Sequence, residues 1–433
     1  MTSGSSRACR IEGTVAPGFE SVKALYEHNM QTLEERNTQL CVYHRGEKVV
    51  DLWASAISDD SFSPDSLVNV FSSGKSLEAI AMASLAGKGL LRYDAKITEY
   101  WPEFGANGKG GLTVAELMRH EAGLAAFYVT LDPNDLLTEN IKQNHVGRVI
   151  EAHTQKFRKA DGSRREYHAI TRGWIVNEIF RRIDPAGRTI GEFLREDISE
   201  RLEVDAVIGA SESDLKRTSK VSPLGFFFQL LESLKPKFLK RRIERNIFQL
   251  LGLILRIIPA IRNRSTAGAP PPVKGMGRMD YFNDPVFSKG ETPSANAKCS
   301  ARGLAKIAAM MSLGGRWNGR EFLNKEAWQA MHEAPIEADM GTFSTTFTQG
   351  GVALFATPPR SGSKLDKAFN IGREGFFGWM GLGGSIFQWH PEHEIGFGYV
   401  PTSLNVLDLV NERGKAYQAE VLSCIERRSG GTG

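Results

Sequence analysis

The sequence predicts an α+β fold. Strand-like runs form hairpins near each end of the chain, at about 39–53 and 386–400. Helical apolar periods stand outside them, at 19–33 and 404–425, and the stretch between reads mostly as helices. With 433 residues the chain can bury a sizeable core, either as two or three domains or as one large one. Its composition is that of an ordinary globular protein, and a net charge of +4 is small for the length, which implies no nucleic-acid partner.

Four cysteines, Cys9, Cys41, Cys299 and Cys424, lie far apart. No pair has metal-ligand spacing and the number is too small for a disulfide framework, so reduced thiols and a cytoplasmic protein are expected. Residues 1–18 are polar and lack the apolar core of a secretory signal. Thr2 excludes N-myristoylation, and Arg7 and Arg10 leave a mitochondrial presequence open. Asn263-Arg264-Ser265 is a glycosylation sequon, idle without secretion.

In chain order, Phe19, Val22, Leu25, Tyr26 and Met30 mark the first helix. Gln39–Tyr43 and Val49–Trp53 follow as strands around an Arg45-Gly46-Glu47 turn. A helix beginning near Ser72 carries Leu77, Ile80, Ala81 and Leu85 and stops at Gly87 or Gly89. Leu112–Leu124 reads as a helix capped by Thr113 and ended by Gly123, with His120 a packed, hydrogen-bonded residue rather than a ligand. Tyr167 stands where a loop enters the helix 174–183, a place where positioned polar groups carry function, although without further context a packed tyrosine with its hydroxyl satisfied is the better account. A helix region spans 294–313 with Ser300 as a cap, and a helix from Leu404 to Ile425 closes the chain. His390, Glu392, His393 and Glu394 gather in the turn of the second hairpin, where a solvated charge cluster is a cheaper account than a metal.

Residues 221–272 are unusual. Phe226-Phe227-Phe228 opens an apolar run, and residues 235–264 hold nine Lys or Arg against Glu244 alone. Within that basic span lies a second apolar run, 247–258. Neither run reaches the roughly 18 residues that a membrane span needs. Two accounts stay open: a helical insertion packed on the body, or a lid or surface element at 224–258 that meets an anionic membrane. The Pro- and Ala-rich stretch 267–272 returns the chain to the body.

Chemistry is concentrated at Asn69-Val70-Phe71-Ser72-Ser73-Gly74-Lys75-Ser76. On a helix Ser72 and Lys75 share a face, and an amine that sheds its proton can activate the hydroxyl. The helix dipole favours negative charge at such a serine. Gly74-Lys75-Ser76 imitates the end of a phosphate-binding loop, but Asn69 stands where that motif needs its first glycine. By itself Ser-x-x-Lys is also met by a serine that merely caps a helix.

The ordered set of motifs resembles the serine β-lactamase and penicillin-binding-protein superfamily, in the branch of class C β-lactamases, family VIII esterases and animal β-lactamase-domain proteins. Ser72-Ser73-Gly74-Lys75 matches the first motif. Leu112-Thr113-Val114 through His120-Glu121-Ala122-Gly123-Leu124 matches a second stretch, with Glu121 and Ala122 differing. Tyr167-His168-Ala169 stands in the Tyr-x-Asn motif, and Trp379-Met380-Gly381 in the Lys/His-x-Gly motif of an edge strand. The likeness runs over about 12–425 apart from 221–272. It implies a β-lactamase/transpeptidase-like fold: an antiparallel sheet flanked by terminal helices (about 12–70 and 290–425), with a mostly helical lobe inserted (about 71–289). Residues 1–11 and 426–433 are expected to be disordered, and the site to lie between the lobes.

The resemblance also implies roles. Ser72 is the nucleophile of an acyl-enzyme. Lys75 and Tyr167 share the proton work, Tyr167 as a base only if nearby positive charge lowers its pKa. The backbone N–H groups of Ser72 and Leu382 form the oxyanion hole, and Trp379, Met380, Gly381 and Ala169 meet the substrate. No metal or cofactor is implied. Trp379 carries one N–H and no charge where relatives bind a substrate carboxylate, and Ala169 replaces an amide, so a small-molecule ester or amide is expected rather than a β-lactam. The alternative is an inactive descendant that serves as a binding, structural or membrane-peripheral protein.

Overall fold

The alternation Ile395-Gly396-Phe397-Gly398-Tyr399 sets the layers of the molecule. A computed structural model describes residues 9–156, 165–262, 266–341, 343–357 and 363–430. In it, residues 395–401 form a strand whose successive side chains point to opposite faces. Ile395, Phe397 and Tyr399 are fully buried on one face, in a core shared with both terminal helices. The other face has no room for a side chain. A Cβ on Gly396 would lie 2.3 Å from the Ala309 nitrogen, and one on Gly398 2.4 Å from the Ala301 oxygen. The helix Ala301–Ser312 therefore lies directly on the strand backbone.

This strand is one of nine in an antiparallel sheet. In chain order they are β1 (Arg10–Val15), β2 (Asn37–His44), β3 (Glu47–Ser55), β4 (Ile336–Asp339), β5 (Ser344–Phe347), β6 (Ala353–Leu354), β7 (Phe377–Met380), β8 (Ile386–His390) and β9 (Ile395–Pro401). Across the sheet the order is β1-β3-β2-β9-β8-β7-β6-β5-β4. The two ends of the chain meet at β2 and β9, where Leu40 faces Tyr399 and Val42 faces Phe397. The principal helices are α1 (Glu20–Thr32), α2 (Lys75–Gly87), α3 (Thr171–Ile183), α4 (Phe226–Leu234), α5 (Ile247–Arg262), α6 (Ala301–Ser312) and α7 (Glu412–Gly430). α1 and α7 cover one face of the sheet and α6 the other. Beyond α6, α2 packs on α3 and on the helix Lys325–His332.

Several element ends differ from the sequence reading, each for a visible reason. The 112–124 helix keeps its Thr113 cap, with Glu116 reciprocating, but spans only Val114–Met118, because His120 takes the left-handed φ of 66°. Of 294–313 only α6 is helical. Ser300 Oγ caps it by accepting the Gly303 N–H, and Lys298–Cys299 pairs instead with the short strand Leu67–Asn69. α7 starts at Glu412 rather than at 404, since Ser403–Leu404 pairs with Ser222–Pro223. α7 then runs on into the tail expected to be disordered. Arg427 donates to Ser21 Oγ at 3.1 Å and Arg428 to the Pro17 oxygen at 2.9 Å, fastening its end to the start of α1. At the other terminus Arg10 and Ile11 belong to β1, held by Arg10 on the Asp59 and Phe62 oxygens. β7, expected at an edge, lies inside the sheet because β4–β6 extend beyond it.

The insertion 221–272 folds as α4, a tip around Lys237–Leu239, and α5. Its inner side is attached to the body. The Arg242 oxygen accepts the Glu34 N–H at 2.9 Å, the Arg242 side chain pairs with Glu34, and Arg245 pairs with Asp408 at 3.5 Å. Among the described residues no helix is long and apolar enough to cross a membrane. The sequon at 263–265 and Arg164 lie outside the described residues.

Arg413 ties α7 to the rest. It donates to Glu35 at 2.6 Å and to the oxygens of Gly383 and Ser403 at 2.5 and 3.2 Å, and both charged side chains are buried. Arg413→Met should cost about 3–5 kcal/mol in urea unfolding, because it leaves the Glu35 charge buried without its partner. A loss under 1 kcal/mol would mean that the pair carries no such constraint.

Candidate active site

Ser72 stands in a tight 3-10 turn, Phe71–Gly74, between the strand 67–69 and α2. The preceding Phe71 takes φ 49°, a left-handed conformation that a bulky residue adopts only where its surroundings compel it. Here the compulsion is visible. The Val70 N–H donates to the Ala297 oxygen at 2.9 Å, and Asn69 Nδ2 to the Ala295 oxygen at 3.1 Å. Val70 and Gly74, not Ser72, stand at the N-caps of the two helical segments, which removes the simple cap as the role of Ser72.

Lys75 opens α2 and is buried. Its Nζ donates to the oxygens of Ala169 at 2.7 Å and Ser294 at 3.1 Å and lies 3.4 Å from Ser72 Oγ. Burial holds its pKa well below the usual lysine value. The Glu78 charge opposes that shift and Arg172 adds to it. A neutral amine has two N–H groups and one lone pair. In that form the two carbonyls would take its two N–H groups and leave the lone pair for the serine hydroxyl.

Tyr167 Oη accepts the Trp379 Nε1–H at 2.8 Å, and Lys75 Nζ lies 4.8 Å from the tyrosine ring centre. Burial pushes the Tyr167 hydroxyl up to about 12, against hydrogen bonds to Ser72 and Trp379 that pull it down. The lowered tyrosine pKa that a phenolate base requires is not met, and of the two groups beside Ser72 it is Lys75 whose pKa is pushed toward the deprotonated form.

The hairpin after β7 supplies the other wall. Ser385 Oγ donates to the Val70 oxygen at 2.6 Å and lies 3.0 Å from Ser73 Oγ, so it pins the hairpin to the serine turn. Gly381 makes that approach feasible: a Cβ there would lie 2.1 Å from Ser385 Oγ and 2.2 Å from the Val70 oxygen. Leu382 follows, at the tip of the turn between β7 and β8. A cavity opens at Ser72 and Tyr167, with Met380, Gly381 and Leu382 on its wall. Most of its surface is apolar, from Met340, Phe343, Phe369, Trp379, Val406 and Leu409, with Asp408 at its side. Ala169 does not line it; its carbonyl holds Lys75 instead. Trp379 does line it, but its one N–H is committed to Tyr167.

Three supporting groups escaped the sequence reading. Glu78 and Arg172 form a fully buried ion pair at 2.5 Å. Arg172 also donates to the oxygens of Met118, Gly351 and Lys75, and Ser294 Oγ donates to Glu78 at 3.0 Å. His120, fully buried as expected, accepts the His168 N–H on Nδ1 at 3.0 Å, and its ring packs 4.7 Å from that of Tyr167. Burial keeps both histidines neutral, His168 down to about 3. Glu78 had a weak signal, one turn after Lys75 on the same helix. Arg172 and Ser294 had none, since their partners are distant in sequence.

Comparison with known proteins bears on the family and the fold. Residues 22–420 match the Beta-lactamase family. The chain is 27% identical over 406 residues to the esterase/beta-lactamase LipL of Mycobacterium tuberculosis (strain ATCC 25618 / H37Rv), covering 91% of this chain and 83% of that protein. Among solved structures, a family VIII carboxylesterase superposes with a TM-score of 0.74 at 23% identity, over 96% of this chain and 100% of that one. A penicillin-binding-protein homologue from Caulobacter crescentus gives 0.71 at 24%, over 96% and 100%. These two likenesses concern the fold, which is of the β-lactamase/transpeptidase type.

Gly381→Ala should lower kcat on a soluble ester by roughly a hundredfold or more, the scale of one misplaced oxyanion donor, with an unchanged circular-dichroism spectrum. A wild-type kcat in that variant would remove the hairpin tip from the site.

Proposed function

The chain belongs to the beta-lactamase family, and from that premise we propose that it is a serine hydrolase of the esterase type, cleaving small esters or amides with an uncharged, apolar acyl group. The arrangement around Lys75 carries the reading: its two N–H groups are held by Ala169 and Ser294, and its free electron pair is directed to Ser72. Ser72 Oγ attacks the acyl carbon while its proton passes to Lys75 Nζ. The N–H groups of Ser72 and Leu382 receive the developing oxyanion, each worth about 3–4 kcal/mol in the transition state. Tyr167, protonated and in contact with both Ser72 and Trp379, relays the proton to the leaving oxygen or nitrogen. Collapse releases the alcohol or amine, and water hydrolyses the acyl-enzyme by the reverse proton path.

Selectivity follows from the walls. Met340, Phe343 and Phe369 offer an acyl chain apolar contact. A β-lactam carboxylate finds no cation at Trp379, whose N–H already serves Tyr167. LipL bears both esterase and beta-lactamase in its name, and the esterase half is the one these walls favour.

Intact-protein mass after exposure to a fluorophosphonate should rise by one adduct in wild type and not in Ser72→Ala. An unmodified, well-folded wild type would favour an inactive binding protein instead. The pH profile of kcat/KM should fall on the acid side as Lys75 takes up a proton, with its midpoint well below the ordinary lysine value of 10.5. Tyr167 should cause no alkaline fall below about pH 12. An acid limb centred near 10.5 would contradict a neutral Lys75 base.

A further inference from the structure

The helices of the insertion break the usual rule for a surface helix, which turns its apolar stripe inward and its polar face to water. In α5 Leu250 and Leu253 are buried, yet Phe248, Leu251 and Leu255 form a second apolar stripe that faces outward, with Phe248 81% exposed and Leu255 71%. In α4 Phe227, Leu231 and Leu234, at i, i+4 and i+7, do the same, with Phe227 77% exposed. Between the helices the six consecutive residues Lys235-Pro236-Lys237-Phe238-Leu239-Lys240 are all exposed, Phe238 at 82%. The acidic side chains of 224–258 are Glu232 and Glu244, and both turn inward. Glu232, 7% exposed, accepts from Lys235 and from the Arg242 N–H. Glu244 lies 3.9 Å from Arg413. The outer surface is thus apolar and cationic together.

We propose that α4, the tip 235–240 and α5 form a docking surface for an anionic lipid bilayer. Charge complementarity decides the occupant. Lysines are depleted in the cores of protein–protein interfaces. At a lipid surface a lysine lays its stem along apolar groups and keeps its ammonium among the head groups, so Lys237 and Lys240 on either side of Phe238 suit acyl chains below and phosphates above. An apolar stripe in contact with hydrocarbon needs no polar partner, and among the described residues no helix is long enough to go further and span the bilayer. The inner side of the same pair is anchored through Arg242 to Glu34 and through Arg245 to Asp408, so the surface is presented by a fixed part of the fold. The proposal does not depend on catalysis at Ser72.

The test is co-sedimentation of the full chain with phosphatidylcholine vesicles and with vesicles that also carry phosphatidylserine. Binding is expected to the anionic vesicles, to weaken with salt, and to persist in Ser72→Ala. The double variant Lys237→Gln, Lys240→Gln should bind them about twenty-five-fold more weakly, roughly fivefold per lysine. Phe238→Ser with Phe248→Ser should also weaken binding, while turnover of a soluble ester and the unfolding curve stay as in wild type. Absent binding, or equal binding to neutral and anionic vesicles, would overturn the proposal. So would a concentration-dependent dimer in size-exclusion chromatography that the same phenylalanine substitutions dissolve, since the surface would then be one between copies of this chain.

Discussion

Two fully buried charges, Glu78 and Arg172, hold the centre of the molecule together. Arg172 reaches from α3 to the carboxylate on α2, to the Lys75 carbonyl, and to the chain at Met118 and Gly351, so four separated segments share one guanidinium. Desolvating such a pair costs several kcal/mol per ion, and the surrounding hydrogen bonds offset that cost. The pair also has an electrostatic consequence. A bare carboxylate one helical turn from Lys75 would hold its ammonium charged. Arg172 beside Glu78 opposes that field, and burial, the largest influence, favours the amine. The same contact that joins these segments therefore also bears on the pKa of Lys75, behind the larger effect of burial.

Trp379 shows a second economy of position. It stacks among Phe347, Phe355 and Phe369, extends the apolar wall of the cavity, and gives its one polar group to Tyr167. A cation at the same place would serve an anionic substrate and would remove the donor that steadies the tyrosine hydroxyl. The apolar wall of the cavity and the tyrosine hydroxyl are thus coupled through one side chain.

The insertion is joined to this centre rather than appended to it. Glu244 and Arg245 enter the buried charges around Arg413 and Asp408, and Arg413 holds the Gly383 oxygen beside the Leu382 turn. Asp408 both pairs with the insertion and lines the cavity. A segment that looks atypical in composition is consequently braced against the wall of the site.

Local patterns were legible in the amino-acid order because they depend on neighbours. The period of 3.6 in α1 and α2, the alternation in β2, β3 and β9, the Thr113 and Ser300 caps and the Ser72–Lys75 spacing all rest on contacts within a few residues. Ser72, Tyr167 and the Trp379–Leu382 stretch were singled out by resemblance to a family's ordered motifs, and the fold brings them to one cavity. What the sequence could not determine is the state of those groups. Burial lowers the pKa of Lys75, and carbonyls 94 and 219 residues away orient it. Tyr167 is kept protonated by the same exclusion of water, and the Trp379 N–H is spent on a partner 212 residues distant. Ala169 carries a motif position in the sequence and a lysine-binding carbonyl in the structure. Protonation and hydrogen-bond partnership depend on dielectric surroundings and distances across the core, and those exist only once the chain has closed on itself.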